Sequence, residues 1–158
     1  LSPSRPHAPQ ADDRRSPNAL DLRRFTPAVI TFLAQRIVAT ASAEYRPQFG
    51  VGVTDWRILA QLAAEPWLAP VRIAESTGLD KAAVSRSLRD LRDAGFVEAD
   101  DGGRRRSVFA LTPSGVALHD RLAEAARLRE QRLLDGFSDE EREKLADMLE
   151  RMLRQVSG

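Results

Sequence analysis

Apolar residues recur at helical spacing along most of this chain, interrupted once by two short apolar runs around a glycine-rich loop. Phe25, Val29, Ile30, Phe32, Leu33, Ile37, Val38 and Ala41 mark a first helix. Thr26 is expected to cap it, Pro27 suits the first helical position, and the helix is expected to end near Tyr45 to Pro47. Its apolar residues spread over more than one face, so it needs cover on several sides, which in so small a chain points to a second subunit. After Gly50 to Gly52, Thr54 is expected to cap a second helix carrying Trp56, Ile58, Leu59 and Leu62, which stops before Pro66. A third, short helix begins near Pro70, carries Val71, Ile73 and Ala74, and ends at Gly78.

The fourth stretch, L-D-K-A-A-V-S-R-S-L-R-D-L-R-D-A-G from Leu79 to Gly95, has both ends marked. Asp80 can cap its start and Gly95 supplies a left-handed residue at its end. Val84, Leu88 and Leu91 fall on one face; Ala82, Arg86 and Arg89 fall on the opposite one, with Lys81 and Ser85 at the flank. Two helices joined through Thr77-Gly78-Leu79-Asp80 have helix-turn-helix spacing. Small residues and arginines in the first two turns suit entry into a DNA major groove. Small side chains admit the backbone, Arg bridges a guanine edge, and Ser bonds a base or a phosphate. An ordinary solvated helix face would look similar in isolation, so the surroundings have to decide.

Phe96-Val97-Glu98-Ala99 and Ser107-Val108-Phe109-Ala110-Leu111 flank D-D-G-G-R-R-R, the pattern of a β-hairpin. Directly after a helix-turn-helix such a hairpin is a wing. Arg104, Arg105 and Arg106 at its tip repel one another unless an anion lies nearby; the rival reading is a solvated loop partly neutralised by Asp100 and Asp101. Thr112-Pro113 opens a fifth helix through about Leu134, carrying Val116, Leu118, Leu122, Ala125, Ala126, Leu128 and Leu133. Ser138 and Glu141 form a capping box for a sixth. There Leu145, Met148, Leu149, Met152, Leu153 and Val156 make an apolar stripe that nothing later in the chain covers.

The expected fold is therefore mainly α with a small β-hairpin wing. A winged helix-turn-helix at 51–112 is flanked by terminal dimerisation helices at 21–50 and 113–158, behind a disordered arm at 1–20 rich in Pro, Ser and charge. A hydrophobic fraction of 42% over 158 residues is enough for one domain with helical extensions. The absence of cysteine excludes disulfides, thiolate zinc sites and thiol redox sensing. A net charge of +1 arises from 24 basic and 23 acidic residues, so local distribution has to identify partners. No apolar run approaches membrane-spanning length and no signal peptide is evident; a soluble, cytoplasmic protein with no membrane partner is expected.

No catalytic constellation can be assembled, and no metal or cofactor is expected. His7 sits in the arm and His119 stands alone on the fifth helix. Gly102-Gly103 lacks the lysine and helix of a phosphate loop. The pairs Asp12-Asp13 and Asp100-Asp101 have no histidine partner. Asp139, Glu140 and Glu141 suit a helix N-terminus.

Three segments together resemble the MarR family of winged helix-turn-helix transcriptional regulators: L-D-K-A-A-V-S-R-S-L-R-D-L, the arginine wing leading into V-F-A-L-T-P-S-G, and T-D-W-R-I-L-A-Q-L. The likeness spans roughly Phe25 to Val156. It implies a dimer built from interlocked terminal helices, a recognition helix in the major groove, and a wing arginine in the adjacent minor groove. The wing position falls on Arg105. The acidic residue usual two positions before it is Gly103 here, so either Asp100 or Asp101 orients the arginine or the wing is less constrained.

The resemblance implies a DNA-binding regulator acting as a homodimer on double-stranded DNA at a palindromic operator, most simply a repressor released by a small ligand. The expected DNA contacts are Lys81, Ala82, Ser85, Arg86, Arg89, Arg104, Arg105 and Arg106. The family's ligand pocket lies where the dimerisation helices meet the winged domain, which here offers Tyr45, Arg46, Trp56, Arg57 and His119. Aromatic faces beside cationic groups suit a small aromatic acid. The rival is a winged helix used only for protein interaction, which predicts an apolar or acidic recognition face; Ser85-Arg86 and the arginine wing speak against it.

Overall fold

The computed structural model describes residues 16, 18–100 and 107–157. Most of the N-terminal arm (1–15 and 17) and the wing tip (101–106, with Arg104, Arg105 and Arg106) lie outside the described residues. The elements follow the order that the apolar spacing predicts: α1 Thr26–Phe49, α2 Val53–Ala64, α3 Pro70–Thr77, α4 Lys81–Asp93, β1 Val97–Asp100, β2 Val108–Leu111, α5 Pro113–Leu133 and α6 Asp139–Ser157. The chain divides into two compact units, Leu1–Ala41 and Ser42–Gly158, so α1 contributes to both. Among the described residues no helix is long and apolar enough to cross a membrane.

In the first unit the large apolar residues of α1 remain at the surface: Val29, Ile30, Phe32, Leu33 and Val38 are all exposed, while Ala41 is buried. The core lies in the second unit. Ile58, Leu59 and Leu62 of α2 and Ile73 of α3 are fully or almost fully enclosed, as are Val84, Leu88 and Leu91 of α4. These three helices pack against one another, and α2 also packs against α5, which contributes Leu118 and Leu122. The hairpin is antiparallel, with Val97 opposite Leu111 and Asp100 opposite Val108. Leu68 extends it by a bridge to Phe109, each residue donating its N–H to the other's carbonyl at 3.0 and 2.9 Å.

Three helix starts follow the expected capping chemistry. Asp80 accepts from the Ala83 N–H at 2.8 Å, and Thr112 accepts from the Gly115 N–H at 3.0 Å. Ser138 and Glu141 exchange bonds at 2.8 and 3.3 Å. Gly78 and Gly95, with φ of +67° and +78°, end α3 and α4 in the left-handed region where a Cβ is costly.

Two caps differ from expectation. Thr26 lies inside α1 rather than before it, because the first helical bonds run to the carbonyl of Phe25. Thr54 lies inside α2, whose cap is Gly52: the Asp55 carboxylate accepts the Gly52 N–H at 2.8 Å and so lets the helix begin earlier. At its other end α1 continues past Pro47 to Phe49.

The end of α4, the hairpin and α5 meet at one crowded point. Thr112 donates its hydroxyl to the carbonyl of Gly95 at 2.7 Å and its N–H to that of Phe96 at 3.1 Å. A Cβ on Gly115 would stand 1.9 Å from the Phe96 carbonyl oxygen, a backbone atom that cannot swing aside. Gly115→Ala is therefore expected to destabilise the chain by about 3 kcal/mol or more, at or above the upper end of ordinary overpacking. Urea unfolding of the two chains measures this; equal midpoints would show that α5 can move away freely.

Candidate nucleic-acid interface

α4 presents two faces of different character. Lys81, Ala82, Ser85, Arg86 and Arg89 are all exposed, whereas Val84, Ser87, Leu88 and Leu91 are buried. On α3 and α6 exposed cations pair with an acid about one turn away, as in Arg72–Glu75 at 3.0 Å, Lys144–Glu140 at 2.7 Å and Arg154–Glu150 at 3.0 Å. Among the described residues Lys81, Arg86 and Arg89 join no ion pair, although Asp90 and Asp93 lie one turn beyond the two arginines. The outward face of α4 thus keeps its positive charge toward solvent. Lys81 and Ser85 also line a cleft of about 450 Å³ shared with Pro70 and Val71 of α3 and with Ser107 and Phe109 at the root of β2. The helix and the hairpin therefore border one surface. The hairpin pairs out to Asp100 and Val108, and in the sequence the three arginines fall between these two residues, outside the described ones.

The buried face of α4 carries one polar anchor. Ser87 sits among leucines with only 5% of its surface accessible and donates its hydroxyl to the Asp55 carboxylate. The other oxygen of Asp55 holds the Gly52 N–H. A buried hydroxyl without an acceptor would be costly, so this bond selects one rotation of α4 against the start of α2. Sequence reasoning passed over Ser87; its signal was a serine inside an apolar stripe. It also passed over Gly115, and over Trp67, which has a left-handed backbone with φ of +62°.

The five residues expected to hold a ligand do not share one set of contacts. Trp56 and His119 stack at 5.5 Å between ring centroids, with 20° between their planes. Tyr45 is buried, edge-on to Phe49 at 6.0 Å, with the Arg129 guanidinium 5.8 Å from its ring centroid. Arg129 in turn bonds Glu44 at 2.8 Å. Burial raises the pKa of the Tyr45 phenol, with the Arg129 charge opposing and Glu44 assisting. The Arg46 guanidinium lies beside Gly52, where a Cβ would meet it at 3.2 Å. Arg57 is exposed.

Comparison with known proteins agrees with this geometry. The sequence model of the MarR family matches residues 49–107, which hold the helix-turn-helix and most of the wing. A MarR/EmrR family transcriptional regulator from Acinetobacter sp. ADP1 superposes with a TM-score of 0.81. It is 30% identical, over 87% of this chain and 99% of that one. A MarR family regulator from Silicibacter pomeroyi follows at 0.75 and 26% identity, over 85% and 92% of the two chains. A Thauera aromatica protein described as a candidate transcriptional regulator for the hcr operon is 29% identical over 110 residues. That match spans 67% of this chain and 66% of the relative's length. The chain belongs to the MarR family of winged helix-turn-helix transcriptional regulators.

The Asp55 anchor has a measurable weight. Asp55→Ala removes the acceptor of both Ser87 and the Gly52 N–H and should cost about 2 kcal/mol, whereas Ser87→Ala, which leaves the cap intact, should cost about 1 kcal/mol. Urea unfolding of both variants checks the order; a larger loss for Ser87→Ala would show that the cap contributes nothing.

Proposed function

We propose that this chain acts in the cytoplasm as a homodimeric repressor of transcription, binding a near-palindromic DNA site and leaving it when a small organic ligand binds. The observation that carries this reading is the outward face of α4, where Lys81, Arg86 and Arg89 keep their charge in the first turns of a helix that follows a helix-turn-helix turn. Membership of a family of regulators supports a regulator over an enzyme. In this reading Ser85 and Arg86 meet base edges, Lys81 and Arg89 sit nearer phosphates, and Ala82 allows the backbone to approach. Arg105, between Arg104 and Arg106, enters the minor groove.

The dimer is supported by apolar surface that the chain leaves uncovered. Met148, Leu149, Met152 and Val156 of α6 are 43% to 82% exposed, and Val29, Phe32, Leu33 and Val38 of α1 are 40% to 62% exposed. Two stripes of this kind exceed what a monomer ordinarily shows to water, and a second copy supplies matching stripes. Two recognition helices would then lie about 34 Å apart, one turn of DNA. For the effector we keep the class of small aromatic acids, on the strength of Arg46 and Arg57, which follow Tyr45 and Trp56 directly in the sequence on either side of the loop between α1 and α2. A difference of about 3 kcal/mol in affinity for the two states of the dimer would loosen the operator more than a hundredfold.

Binding to the DNA flanking the chain's own gene tests the reading. Arg86→Ala should weaken the specific complex by about 1–3 kcal/mol and relax preference at one or two base pairs, while leaving random duplex nearly unaffected. Replacing Arg104, Arg105 and Arg106 together by alanine should lower the slope of log affinity against log salt, by about one unit for each of these arginines that meets a phosphate. If both variants match the parent on specific and random duplexes, α4 and the wing do not touch DNA. Truncation after Phe137 should leave the chain insoluble or unfolded; a soluble monomer that still binds a full palindrome tightly would overturn the dimer. Release of the operator by benzoate-like acids at millimolar concentration tests the effector class independently of DNA binding.

A further inference from the structure

A second hollow, of about 420 Å³, lies behind the wing and away from the outward face of α4. It is framed by the end of α2, the turn at Pro66 and Trp67, the base of the hairpin, and the first turns of α5. Leu62, Ala110, Leu111 and Val116 give it apolar walls, and Trp67 stands on its rim. Trp67 and Val116 are both nearly half exposed, so two large apolar side chains face water in the same hollow. Its volume falls within the range of small-molecule sites.

Its charge has one sign. Among the described residues that line it, the carboxylates are Glu98 from β1 and Asp120 from α5, and neither lysine nor arginine is present. His119 is the remaining titratable group there. One face of its ring is stacked on Trp56, and its Nδ1 lies 3.0 Å from Asp120. This environment is unlike the one an aromatic acid requires. The Trp67 ring is carried by a left-handed backbone that residues with a Cβ seldom adopt. The next residue, Leu68, is tied to Phe109 by two backbone bonds, so the turn bearing the tryptophan is anchored to the hairpin.

We infer that this hollow binds a small organic cation with an aromatic body, of the arylalkylamine class. Its ring packs against the indole of Trp67 and the apolar walls, and its ammonium faces Glu98 and Asp120. Offset aromatic stacking favours a ring against the indole, and the two carboxylates attract the ammonium. The occupant would touch α2, both strands of the hairpin and α5 together. The site stands independently of the DNA-binding reading, since its test involves no DNA.

The sequence contains two tryptophans, so Trp56→Phe leaves Trp67 as the sole indole while preserving an aromatic ring against His119. Titration of this variant with phenethylamine should change its fluorescence saturably. Phenylpropionate, similar in shape but of opposite charge, should do so far more weakly. Glu98→Gln combined with Asp120→Asn should weaken the amine by about fivefold or more without changing the melting temperature of the free protein appreciably. If Trp56→Phe folds poorly, the indole N–H resonances of the wild-type chain give the same readout, with the Trp67 signal identified through Trp67→Phe and shifting on addition of the amine. No saturable response, equal binding of acid and amine, or undiminished amine binding by the Glu98/Asp120 variant would each overturn the assignment.

Discussion

The first turn of α5 packs directly on Phe96, just beyond the end of α4, and this contact sets where the hairpin and α5 meet. It depends on a residue with no side chain. Gly115 lets the first turn of α5 lie directly on the Phe96 carbonyl, while Thr112 bonds the carbonyls of Gly95 and Phe96 and caps α5. The end of α4, the start of the hairpin and the first turn of a long helix are thereby bound within a few ångströms. Any larger residue at Gly115 would have to displace backbone, so the angle between hairpin and α5 follows from that single hydrogen atom.

The opposite side of α4 is fixed by different physics. Leucine and valine packing holds a helix against its neighbours but resists rotation weakly, because apolar contact is not directional. The Ser87 hydroxyl adds direction. Its bond to Asp55 links α4 to the start of α2, and the second oxygen of Asp55 makes that start a cap. Arg46 lies against the same Gly52. Arg46, Gly52, Asp55 and Ser87 thus form one run of contacts from the last turn of α1 to the buried face of α4.

Charge is distributed to match. On α3 and α6 exposed cations are neutralised locally by acids a turn away, and those surfaces project little field. On α4 the first turns are left positive, while the hollow behind the hairpin is lined by carboxylates. A chain with a net charge of only +1 thus carries two surfaces of opposite sign on either side of one hairpin, a pattern to which overall composition is blind.

Local chemistry made most of the fold legible in advance. The caps at Asp80, Thr112 and Ser138 and the stops at Gly78 and Gly95 each depend on neighbours within four residues, which a linear reading contains. The two misplaced helix starts, at Thr26 and Thr54, show where that reading weakens. A threonine is a good cap in isolation, but Asp55 reaching back to Gly52 moves the boundary. The outward residues of α4 were legible too, because a 3.6-residue period separates its faces without reference to the rest of the chain. The meeting of Ser87 with Asp55, the approach of Gly115 to Phe96 and the grouping of Trp67, Glu98 and Asp120 were not. Each joins residues from different elements, at separations of 19 to 53 positions in the chain. Sequence alone determined which residues could cap, pack or carry charge; tertiary structure decided which of them meet, since that depends on the angles at which whole helices cross.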